Sequence, residues 1–192
     1  MYFLTKILYL LLSGRKLSTL RRLGRLTGTA AYHLSSSRRK TAVTNCRIMG
    51  VIDCDKVAKE SFVNTFQSYF ETFYTKNNIN QFIHDNTEFV YHGKKPDFDR
   101  PMFFVTAHFG SWELAAPIFI TAFKRKLGIL ARRLKNRKLD DYIVKQRSFN
   151  GEVIYLHHRN SADKMMELLD ENIPVAALLD HSSTVSDSIF IP

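Results

Sequence analysis

Cysteine is scarce in this chain. Cys46 and Cys54 are the only two in 192 residues, and neither has a second Cys or His pair beside it. That excludes a zinc-ligand spacing and leaves two ordinary reduced thiols, as expected of a reducing compartment. Acidic residues are also under-represented: 18 Asp plus Glu stand against 28 Lys plus Arg, a formal charge of +10. Such a balance favours an anionic partner: phospholipid, phosphorylated glycolipid, an acidic carrier protein or nucleic acid. No helix-turn-helix, zinc finger or RNA-binding signature accompanies the basic segments around Arg21, residues 124–126 and residues 132–138, so no nucleic acid partner is expected.

Long hydrophobic runs are missing too. The most apolar segment, MYFLTKILYLLL at residues 1–12, is interrupted by Lys6. It falls well short of the roughly 20 residues that a spanning helix needs. Ser13 and Gly14 are followed at once by Arg15 and Lys16, which disfavours a signal-peptidase site and therefore export. There is no internal repeat and no low-complexity linker.

What is present suits a globular protein, with 45% hydrophobic residues and 12% aromatics. Over residues 14–34, Leu17, Leu20, Leu23 and Leu34 alternate with Arg21, Arg22 and Arg25. The pattern suits a helix in the lipid headgroup plane, cations toward phosphate, or else a core helix with a solvated basic face. The apolar leader before it favours the membrane surface. Residues 1–34 are therefore read as a membrane-associating segment.

Arg38, Arg39 and Lys40 open a polar stretch, and Asp55 reads as the N-cap of a helix running to about residue 76. Phe62, Phe66, Phe70 and Tyr74 recur on that helix every four residues, a stripe expected to pack into the core. Farther on, apolar runs predict strands at 88–91, 102–106, 127–131, 152–156 and 175–179, and helical patterns fall at 111–124, 137–149 and 162–171. Alternation of this kind predicts an α/β layer architecture with a mixed, largely parallel sheet flanked by helices.

The segment MFFVTAHFGSWELAA at residues 102–116 reads as a buried strand, a tight turn through Gly110 and a helix capped by Ser111. His108 leaves the carboxyl edge of the sheet and Glu113 sits in the first helical turn, so the two side chains can converge. A neutral imidazole can take a proton from a hydroxyl as it attacks a thioester, and a carboxylate on the other ring nitrogen fixes its tautomer. A helix N-terminus favours ionised Glu113 and offers N–H groups to an oxyanion. Spacing alone is weak: chance gives about 0.7 His-x-x-x-x-acid pairs in such a composition, and the chain has three. The other two, His92 with Asp97 and His158 with Asp163, follow no buried strand. On spacing and context, His108 and Glu113 are either a functional pair or a buried structural one.

The run Thr106-Ala-His108-Phe-Gly-Ser-Trp-Glu113-Leu-Ala resembles the His-Phe-Gly-Asn-Trp-Glu motif of the bacterial lipid A late acyltransferases, a branch of the lysophospholipid acyltransferase superfamily. Upstream, the segment from Arg38-Arg39 to Asn45 is similar to that family's Arg-Arg segment ending in Asn. Downstream, Arg132 to Asn136, Leu139-Asp140, Arg147 and Gly151 keep its order and spacing. Asp180 and residues 189–192 resemble its Asp-Gln-Asp and Phe-Val-Pro blocks, so the likeness runs from about residue 23 to the end. Departures are Ser111 for Asn, Arg133 for Pro, and His181 and Ser182 for Gln and Asp.

The resemblance implies a glycerol-3-phosphate-acyltransferase-like domain at 35–192 that lacks its C-terminal part. It implies transfer of a fatty acyl group from an acyl-thioester donor to a hydroxyl of a lipid A precursor or related phosphorylated glycolipid. His108 would be the general base and Glu113 its partner, with Arg132, Arg147, Asp180, Gly110 and Ser111 at the substrate. Arg132 could equally be a solvated helix charge, and Asp180 a loop cap. No cofactor and no metal are expected, since acyl carrier protein or coenzyme A brings the acyl group as co-substrate. The expected partners are acyl carrier protein and the anionic glycolipid, at the cytoplasmic face of the inner membrane, with peripheral or monotopic attachment. The alternative is an inactive, truncated member that only binds membrane.

Overall fold

A computed structural model describes residues 2–131, 133–148, 151–157 and 161–180. The chain divides into two compact units, one of residues 1–90 and 110–123, the other of residues 91–109 and 124–192.

The first unit is helical. Its described elements are α1 (Tyr2–Leu12), α2 (Leu17–Leu34), α3 (Ser36–Ile48), α4 (Cys54–Asn86), a 3-10 turn (Trp112–Leu114) and α5 (Ala115–Phe123). The buried positions of α2 are Leu20, Gly24, Gly28 and Tyr32, four residues apart, and they face α4. The helices approach closely because both glycines lack a side chain. A Cβ at Gly24 would come within 2.7 Å of the Gln67 Cα, and one at Gly28 within 2.7 Å of the Val63 Cα. This face is therefore covered by protein. Arg21, expected to face lipid, instead donates from Nε to Glu71 Oε1 at 2.7 Å, while Arg22 and Arg25 are exposed.

Several local expectations are corrected. The residue before α4 is Asp53, and the Asp55 carboxylate accepts from the Tyr32 hydroxyl at 3.1 Å rather than capping the helix. The helix continues to Asn86, past non-helical backbone at Asn78. Its aromatic stripe is only partly buried: Phe62 meets Tyr32 edge-on at 5.6 Å and Phe70 meets Phe73 at 5.9 Å. The fully buried residues of α4 are Ala58, Ser68, Glu71, Thr75 and Phe82. The stretch opened by Arg38 is helical, because Ala42, Val43 and Cys46 of α3 pack with Tyr32, Cys54, Ala58 and Phe62.

The second unit holds a four-stranded parallel sheet in the order β1-β4-β2-β3, formed by β1 (Phe103–Thr106), β2 (Leu127–Ala131), β3 (Val153–His157) and β4 (Val175–Leu178). Helices α6 (Arg137–Arg147) and α7 (Ser161–Asp170) belong to the same unit. Leu156, Leu168 and Val175 form its core, with Leu130, Ile154, Met165, Leu169 and Ile173 around them. Asn136 caps α6, its side chain accepting from the Leu139 N–H, and Asp140 accepts from the Leu134 N–H. Residues 88–91 form no strand. The strand β1, expected to be buried, lies at the sheet edge with Phe103 and Val105 exposed. None of the described helices is long and apolar enough to cross a membrane.

Candidate active site

The strands β1 and β4 are hydrogen-bonded parallel neighbours, with Thr106 opposite Leu178 at the last paired position. Parallel pairing brings their carboxyl ends to the same edge, where residues of separate sequence segments meet. The Leu179 N–H still donates to the Thr106 carbonyl at 3.1 Å. His108 and Asp180 each lie two residues past that register pair and face each other. The His108 ring Nδ1 is 2.8 Å from Asp180 Oδ1, and the His108 backbone N–H donates to Oδ2 at 3.0 Å.

The two bonds fix both the ring and its backbone. An ionised carboxylate only accepts, so Nδ1 carries the hydrogen and the lone pair of a neutral ring resides on Nε2. The hydrogen bond from the ring holds the Asp180 carboxyl below its ordinary value, against a weaker upward push from desolvation. Side-chain exposures of 30% for His108 and 34% for Asp180 leave the pair reachable from solvent.

The turn that follows belongs to the helical unit. Gly110 has a φ of +57°, a left-handed conformation that glycine adopts without strain. Ser111 stands before the 3-10 turn, but its side chain caps nothing. Its hydroxyl donates to Glu71 Oε2 at 2.8 Å instead. Ser68 Oγ lies 3.2 Å from the Gly110 carbonyl and 3.2 Å from Ser111 Oγ. Glu113 occupies the middle of the 3-10 turn, at the start of the helical run that continues as α5.

Among the other expected site residues, Arg147 ends α6 as a basic group in its last turn. Arg132, His158, His181, Ser182 and residues 189–192 lie outside the described residues. Asp180, expected beside the substrate, sits on the imidazole. Glu71 is marked in the sequence only as a lone carboxylate between Ser68 and Thr75 in an aromatic helix.

A family model described as bacterial lipid A biosynthesis acyltransferase matches residues 2–192. No curated protein and no solved structure matches the chain.

Proposed function

Since this chain belongs to the bacterial lipid A biosynthesis acyltransferase family, we propose that it moves a fatty acyl group from an acyl carrier protein thioester to a hydroxyl of a phosphorylated glycolipid. The observation that supports this reading most is the doubly hydrogen-bonded His108, whose Nε2 lone pair suits a general base.

In the proposed reaction, Nε2 takes the proton of the acceptor hydroxyl as its oxygen attacks the thioester carbonyl carbon. The tetrahedral oxyanion collapses, the carbon–sulfur bond breaks, and the departing thiolate recovers the proton from the imidazolium. Asp180, ionised, stabilises the positive ring while it carries that proton. Glu113 is kept as the partner of the His108 base that the family motif implies. Gly110 and Ser111 border the acyl donor, and Arg132 and Arg147 meet donor or acceptor phosphates. The group carrier is a co-substrate, so no resident cofactor or metal takes part.

A carrier protein and an anionic glycolipid both suit a chain of charge +10. We place the protein at the cytoplasmic face of the inner membrane, held peripherally through residues 1–34. Exposed Leu10 and Leu11 of α1 support that placement.

The test is to incubate the protein with acyl carrier protein thioester or acyl coenzyme A, together with a lipid A precursor, and weigh the lipid products. Acylated lipid is expected with the wild type, and none with His108→Ala, which is expected to remain folded. Activity in that variant would refute the assigned base. Vesicle binding with no transfer by the wild type would mark a protein that only binds membrane.

A further inference from the structure

Glu71 is a carboxylate at 7% exposure in the middle of α4. A buried charge is costly unless it is paired and hydrogen-bonded, and the two oxygens of Glu71 serve two different elements. Oε1 accepts from Arg21 Nε of α2 at 2.7 Å, and Oε2 accepts from the Ser111 hydroxyl at 2.8 Å. Arg21 also donates to the Asn86 side chain at 3.3 Å, which fixes the guanidinium from a second side.

The consequence falls on the residues around Glu113. Ser111 is tied to α4 through Glu71 and lies beside Ser68. The Trp112 ring meets Tyr69 of α4 edge-on at 6.4 Å. Leu114 is 1% exposed, and its N–H donates back to the Ser111 carbonyl at 2.8 Å. Glu113 thus sits between neighbours pinned on both sides, and the serine that could have capped the turn gives its hydrogen to Glu71.

We propose that Glu71 is a positioning residue. Clamped by Arg21, it holds the Ser111 hydroxyl and so fixes the backbone that carries Glu113. This rests on the reading of Glu113 as part of the acyl-transfer site. Glu71 touches no reacting atom. Loss of the link lets the turn shift, which lowers turnover while substrate affinity is kept.

The experiment uses the full chain with acyl carrier protein thioester and lipid A precursor, measuring kcat, KM and thermal midpoint for each variant. Glu71→Gln is expected to lower kcat about tenfold at unchanged KM, the scale of a misplaced catalytic group, and Ser111→Ala to lower kcat at least as far. Ser111→Thr keeps the hydroxyl and is expected to recover most of that loss. Glu71→Gln combined with Ser111→Ala is expected to fall little below the worse single variant, because both cut one link. Wild-type kcat in Ser111→Ala would overturn the proposal. So would a kcat loss that tracks the thermal midpoint and is not recovered by Ser111→Thr. Comparison with His108→Ala separates the two ideas: an inactive His108→Ala beside a fully active Ser111→Ala removes only the role of Glu71, whereas an active His108→Ala removes the site reading beneath it.

Discussion

A carboxylate that accepts from both the ring and the backbone of one histidine, as Asp180 does from His108, leaves that imidazole one orientation and one tautomer. Asp180→Asn keeps the shape but replaces the acceptor-only carboxylate that fixes the ring's tautomer, and it is expected to lower kcat by about 100-fold or more. Steady-state kinetics on the purified variant check this. The pH dependence of stability follows from the same contact. Because the folded-state pKa of Asp180 is depressed, its contribution is complete above the unfolded value of about 3.9 and fades as pH falls through the lower folded value. The difference in thermal midpoint between wild type and Asp180→Asn should therefore be constant above about pH 5 and shrink below about pH 4. His108 was legible in the sequence because an apolar run, a glycine turn and a helical pattern surround it. Its carboxylate was not, since nothing in the residue order says that a strand starting at Val175 lies beside one starting at Phe103.

The elements divide by how much local pattern each carries. The strands at 127–131 and 175–178 and the helix from Arg137 stand close to where periodicity puts them. The helix α3 has Val43 as its only fully buried residue, so its apolar signal is too thin to read in a basic stretch. Residues 88–91, Glu-Phe-Val-Tyr, are mostly apolar yet pair with no strand among the described residues, and an apolar run without a hydrogen-bonded neighbour does not make a strand. The contact of α2 with α4 was hidden for another reason: its seam runs through Gly24 and Gly28, and glycine adds nothing to a hydropathy pattern. Gly28→Leu would push a side chain into the Val63 backbone. It is expected to destabilise the protein by about 3 kcal/mol or more, at the upper end of overpacking costs, as measured by chemical denaturation.

At the scale of the whole molecule, a charge of +10 and exposed apolar residues on α1 would act on the proposed membrane partner by different physics. Charge attraction is screened within about 8 Å at physiological salt, whereas apolar burial is not. Vesicle flotation separates them. Raising salt should weaken binding to anionic vesicles severalfold, and Leu10→Ser should weaken it by about tenfold at any salt, since one fully inserted leucine is worth about 1.5–3 kcal/mol. Leu10 is 81% exposed, so its replacement should leave the thermal midpoint unchanged. The Thr106–Leu178 register carries a last implication. The sheet works as a ruler, because His108 and Asp180 meet only while each sits an equal count beyond the same rung. One residue inserted between Leu178 and Asp180 would leave Asp180 three past that rung and turn it to the opposite face. The ring would lose its counter-ion with every side chain of the pair intact, a defect that no substitution at either position could repair.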